Sequence, residues 1–285
     1  MLDGAEFLES AEFQESARFP ALATLPGTLA YAVPGWGERS ADEVLPLASV
    51  GKLLLLASVA QGFTSGELDP DEPLKLDDED YSAGSGLLRK LSVRRWTLAD
   101  LARLTAAVSD NTATNALLRR VGLHRVAADA AALGLKQTRI LDRIREPRLP
   151  QHPPTFAVGT ARELADLAGT AAEDRSWGPL LLEWMAGCLD RSMVPAAIPH
   201  DPEDSALREV PATTLWVANK TGTDAGTRCD VGVVRGARQV CYAVLTQCAP
   251  GDEFAMVRGM REVGAVVGRL ARGEDQVLRS QPRAN

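Results

Sequence analysis

The chain has 285 residues, 45% of them hydrophobic and 24% charged, with a formal net charge of −7. That length and balance describe one large globular domain or two closely packed ones. The acidic charge argues against a nucleic-acid partner, and no run of about 18 residues stays apolar enough to span a bilayer.

In chain order, residues 2–18 have the spacing of an amphipathic helix anchored by Leu2, Phe7, Leu8 and Phe13. Asp3, Glu6, Glu9, Glu12 and Glu15 are the opposite of a basic leader, so the sequence as written reads as cytoplasmic, or as secreted if a leader was trimmed. Residues 27–33 predict a strand closed by the turn Pro34-Gly35-Trp36-Gly37, and a second strand covers 43–47. The acidic segment 69–80 reads as a solvated loop. Helices are predicted over 97–108 with Thr97 as cap, over 112–120 and over 123–134. A helix from 160 to about 170 opens on a capping box of Thr160 and Glu163, and another covers 177–189. Residues 200–210 form a polar surface loop. Strands at 216–223, 230–234 and 239–247 precede a helix over 252–270, with Phe254, Met256, Val257, Val263, Val266, Val267 and Leu270 on its apolar side, and the tail from 271 frays. Two strands, a run of helices, three strands and a helix make an α/β fold. Cys188, Cys229, Cys241 and Cys248 lack CxxC spacing and read as buried free thiols. His124, His152 and His200 lie far apart without carboxylates at ligand spacing, so neither a metal nor a cofactor is expected.

The chemistry centres on Ser49-Val50-Gly51-Lys52, which runs into Leu53–Leu56. If Ser49 opens a helix, positions i and i+3 share a face and the Lys52 amine lies beside the Ser49 hydroxyl. Leucine, alanine and valine neighbours desolvate the amine, and burial lowers a lysine pKa toward the range of a useful base. Two further motifs follow: Ser109-Asp110-Asn111, between two helical runs, and Lys220-Thr221-Gly222, on a strand.

Three motifs in this order resemble the class A serine β-lactamases and the penicillin-binding proteins. The resemblance to class A spans about 27–270. Ser109 to Asn115 is similar to the family loop Ser-Asp-Asn-Thr-Ala-x-Asn. Residues 138–150 resemble its omega loop, Thr-Arg-x-Asp-Arg-x-Glu-Pro-x-Leu-Asn, with one residue inserted before Glu146 and Pro150 in place of the final asparagine. Residues 193–199 resemble the family hinge, and 216–222 resemble Trp-x-Val-Ala-x-Lys-Thr-Gly. The resemblance implies an α/β sandwich with a five-stranded antiparallel sheet built from 1–48 and 196–285, an all-helical part over 49–195, and the active site between them.

It also implies a small-molecule substrate, a monomer and the roles of the site residues. Ser49 is the nucleophile, and Lys52 its general base, alone or with Glu146 through a water. Ser109 passes the proton to the leaving nitrogen with help from Lys220. Glu146 activates the water that frees the acyl-enzyme. Asn111 orients substrate and Asn115 pins the omega loop. Thr221, Gly222 and Thr223 form the substrate-binding wall, and a backbone N–H near Thr223 completes an oxyanion hole with that of Ser49. Arg228 either binds a substrate carboxylate or is a solvated strand-end arginine. Pro150 has neither an amide side chain nor an N–H, so deacylation is the step at which this chain departs from the family. Three activities fit: a β-lactam hydrolase; an intracellular esterase, amidase or transacylase using the same acyl-serine; and an acyl-binding protein without turnover.

Overall fold

The computed structural model describes residue 22, residues 24–201 and residues 214–274. The helix expected at 2–18, most of the loop at 200–210 and the tail beyond 274 lie outside the described residues.

The chain opens with β1 (Gly27–Val33), β2 (Gly37–Arg39) and β3 (Leu45–Pro46), then passes through a 3-10 turn, Ala48–Gly51, into α1 (Lys52–Ser65). A small hairpin pairs β4 (Pro73–Lys75) with β5 (Arg95–Thr97). Next come α2 (Leu98–Ala107), α3 (Asn111–Val121), α4 (Leu123–Ala132), β6 (Arg139–Ile140), β7 (Ala157–Gly159), α5 (Ala161–Glu173) and α6 (Gly178–Ala186). Three long strands, β8 (Trp216–Asp224), β9 (Thr227–Arg235) and β10 (Gln239–Cys248), precede α7 (Glu253–Ala271).

Both chain ends meet in one five-stranded sheet of order β2-β1-β10-β9-β8, antiparallel at every pairing. Its side chains alternate between faces with the strand period of two. Leu29, Tyr31 and Val33 of β1, with Tyr242 and Val244 of β10, pack under Met256, Met260, Val263 and Val267 of α7. Ala30 and Ala32, with Val231, Val233, Ala243 and Leu245, face the other way, onto the core shared with α1 to α6. The result is the α/β sandwich that the order of elements predicts.

Several local expectations are corrected. Leu45–Pro46 is the whole of the second strand, because it pairs with β7 rather than with the main sheet. Ser49 sits inside the 3-10 turn rather than capping a helix; Gly51 occupies the cap of α1. Phe254 is 73% exposed, since it stands two residues from Met256 and so on the opposite side of α7 from the buried stripe. Segment 69–80 is not all solvated: Asp80 is 2% exposed and takes Arg119 on both oxygens at 3.0 and 2.8 Å. Thr160 caps α5 through the Glu163 N–H (3.2 Å), but the Glu163 carboxylate does not return to it, accepting instead from the N–H groups of Lys136, Gln137 and Thr138. All four cysteines are free; Cys188 and Cys229 are buried, Cys241 and Cys248 half-buried. Among the described residues no helix is long and apolar enough to cross a membrane.

Candidate active site

Ser49 is half-buried and lines a cavity of about 330 Å³ together with Ser109, Lys220, Thr221 and Thr223. The turn that presents it is tight: Ala48 has φ 44, a left-handed value costing about 1–2 kcal/mol without glycine. Buried Leu47 and Val50 on either side hold it there.

Lys52 opens α1 and is fully buried. Its Nζ donates to the Ser109 carbonyl at 2.7 Å, to Ser109 Oγ at 3.0 Å and to Asn111 Oδ1 at 2.8 Å. Lys220, equally buried, donates to the same Ser109 Oγ at 3.1 Å and to the Thr221 carbonyl at 2.9 Å. Two lysines far apart in sequence therefore converge on the Ser109 hydroxyl, inside the cavity that Ser49 lines. Burial, and then the Lys220 charge, hold the Lys52 amine well below the usual lysine range, against the opposing pull of Asp110. Burial lowers Lys220 as well, opposed by Cys188, Asp190 and Asp230.

The Ser109 loop has its own support. Ser109 has φ 55, and Asp110 caps α3 through the Ala113 N–H (2.9 Å) while accepting from the N–H groups of Leu87 (2.5 Å) and Leu88 (2.8 Å). Asn111 donates its N–H to the Ser85 carbonyl (3.0 Å) and its amide to that of Ala83 (2.7 Å). Sequence reasoning overlooked this cradle over 82–88, whose only signal is Gly84 and Gly86 among serines. A Cβ on Gly84, at φ +88, would stand 2.8 Å from Asn111 Nδ2 and 4.0 Å from Glu146 Cγ. Glu146 thus lies beside Gly84, as does Asn111, the residue that accepts from Lys52.

Asn115 brackets the segment that carries Glu146: it donates to the Ile144 carbonyl at 2.9 Å and accepts from the Ile144 N–H at 2.8 Å. Asp142 accepts from the Arg143 N–H (2.7 Å) and from Arg145 (2.6 Å); burial pushes its carboxyl up, but Arg145 and the Arg143 N–H outweigh that and hold it below the usual range. Glu146 and Pro150 are exposed, and the Leu149 N–H donates to His152 Nδ1 at 3.1 Å.

Strand β8 forms the opposite wall. A Cβ on Gly222 would collide with the Leu47 carbonyl and lie 2.9 Å from the Val50 nitrogen and 3.1 Å from that of Ser49, so only glycine lets the strand approach the Ser49 turn so closely. Arg228 is not brought to the cavity: one guanidinium nitrogen donates to the Asp224 and Thr227 carbonyls, both at 2.7 Å. A residue with no sequence signal, Asp190, lines the cavity instead.

Solved structures with this architecture are β-lactamase-fold proteins. The β-lactamase of Sphaerobacter thermophilus is 25% identical, with a TM-score of 0.77 over 91% of this chain and 96% of that one. PBP-A, at 19% identity, shares the fold with a TM-score of 0.76 over 91% and 95% of the two chains. The pattern of the β-lactamase enzyme family matches residues 36–270, and the chain belongs to that family: it is a serine hydrolase of the β-lactamase type. A β-lactamase of Streptomyces fradiae is 30% identical over 221 residues, 72% of this chain and 67% of its relative.

Proposed function

We propose that this hydrolase opens a β-lactam or related cyclic amide through an acyl-enzyme on Ser49, with deacylation as the slow step. The observation that carries the reading is the meeting of Lys52 and Lys220 on Ser109 Oγ in the cavity lined by Ser49. Neutral Lys52 removes the Ser49 proton, alone or through a water shared with Glu146, and Ser49 Oγ attacks the carbonyl carbon. The N–H groups of Ser49 and Thr223 steady the oxyanion. As the C–N bond breaks, Ser109 gives its proton to the nitrogen and is resupplied by Lys52, so protons balance across the step. Water activated by Glu146 then cleaves the Ser49 ester. Asn111 orients substrate, Asn115 fixes the segment bearing Glu146, and the sheet and the 49–195 part close the site between them.

Pro150 supports slow release, because an ordered water needs two or more polar partners and proline offers neither amide nor N–H. The test is intact mass spectrometry during incubation with benzylpenicillin. A transient adduct on wild type, absent from Ser49→Ala, is expected. A permanent adduct points to acyl binding without turnover, and no adduct, with hydrolysis of simple esters, points to an esterase.

A further inference from the structure

The cavity beside Ser49 has an unusual charge balance. We infer that Asp190 makes this enzyme select substrates whose group on the Thr221 side of the scissile carbonyl is uncharged or cationic rather than a carboxylate. The inference rests on the acyl-transfer reading of the same cavity.

Asp190 lies four residues beyond the end of α6, in a turn closed by its own Oδ1, which accepts from the Ser192 N–H (3.1 Å) and hydroxyl (2.7 Å). Thr221, on the facing strand, lines the same cavity, and the Lys220 ammonium lies close enough to the Asp190 carboxylate to favour its charge. Among the described residues lining the cavity, Lys220 and Asp190 carry the only charges, and they oppose each other. Neither nearby arginine compensates. Arg228 is not among the cavity's lining residues and is tied through one guanidinium nitrogen to its own hairpin carbonyls, and Arg191 donates to the carbonyls of Val217 (3.0 Å) and Ala186 (2.6 Å) and to Asn219 Oδ1 (2.7 Å). A substrate carboxylate would therefore meet a fixed carboxylate with no guanidinium among the described lining residues to receive it, in a partly enclosed space where charges are screened less than in bulk water. A neutral group avoids that repulsion, and an ammonium gains a partner.

The first measurement is the rate of Ser49 acylation by benzylpenicillin and by its uncharged methyl ester, followed by intact mass. In wild type the ester should react about tenfold faster or more, a factor expected for one partly screened charge pair. Asp190→Asn should bring the two rates together, mainly by speeding the free acid. Equal rates in wild type, or a ratio that survives Asp190→Asn, overturn the inference. The second measurement needs no acylation. Amide NMR shifts at 188–191 and 221–223 of Ser49→Ala protein are followed during titration with benzylamine, benzyl alcohol and benzoate. Benzylamine and benzyl alcohol should bind about tenfold more tightly than benzoate, and the order should collapse when Asp190→Asn is added. Benzoate binding as well as the others, or no shift with any probe, overturns the inference. Absence of any penicillin adduct while the charge preference persists overturns the acyl-transfer reading and leaves Asp190's role standing.

Discussion

Replacing Lys220 with glutamine isolates its electrostatic grip on Lys52. The two ammonium groups lie 3.0 and 3.1 Å from one oxygen, Ser109 Oγ. They are therefore no more than about 6 Å apart, and at an effective dielectric of about 20 two unit charges at that spacing repel by roughly 3 kcal/mol. The repulsion acts on charged Lys52 and lowers its pKa, in the same direction as burial. Lys220→Gln keeps a donor for Ser109 and removes the charge, so the Lys52 pKa rises and less neutral amine is present at a given pH. The acid limb of acylation should move to higher pH. The assay is the second-order acylation rate from pH 4 to pH 9, read by mass or by stopped-flow with a chromogenic lactam. A lower plateau alone would report the lost proton transfer through Ser109. A limb that stays in place or moves to lower pH refutes the claim that Lys220 tunes Lys52.

Pro150→Asn should accelerate the slow phase of lactam turnover by roughly tenfold or more and leave the burst amplitude unchanged; an unaltered slow phase would show that the water is held by other groups. Asn115→Ala strips both partners from the buried Ile144 peptide, at a cost of about 1–3 kcal/mol per group, and should raise hydrogen exchange across 142–147 while slowing deacylation more than acylation. Burial pushes the Asp230 carboxyl from 3.8 up to about 7, against donors on Asn219, Tyr242 and Val194. Between those pH values the unfolded chain has released the proton and the folded one has not, so stability falls as pH rises from about 4 to about 7, by a ceiling of roughly 4 kcal/mol. Asp230→Asn should gain on wild type through that window in denaturant titrations, and a pH-independent difference would contradict the assignment.

The fold was legible where period and punctuation agree. β1, α2 with its Thr97 cap, the β9–β10 hairpin and α7 all lie within a few residues of the expected bounds, because each is a local pattern of apolar spacing and turn residues. The lysines' placement was also foreseeable in kind, since Ser-x-x-Lys ahead of four leucines requires a buried amine. What escaped the sequence depends on contacts across the fold. Asp80 is an ordinary acid in an acidic run until Arg119, on another element, pairs with it. Arg228 carries the right chemistry for a carboxylate, but the direction of its side chain is set by the two hairpin carbonyls in reach. Asp190 has no motif at all; its importance arises because the turn after α6 delivers it opposite Thr221. Glu163 shows the same limit at short range, having left its capping box for three N–H groups of a neighbouring turn.

The close approach at Gly222 has a consequence for how substrate range can change. With backbone against backbone between β8 and the Ser49 turn, the spacing of the two elements is gauged by main-chain atoms. Asp190, Thr221 and Thr223 line the cavity beside that contact. The protein can therefore exchange the groups that greet a substrate while the reacting geometry stays fixed. A single methyl group on Gly222 does the opposite: it forces the strand away from Ser49 and alters every substrate alike.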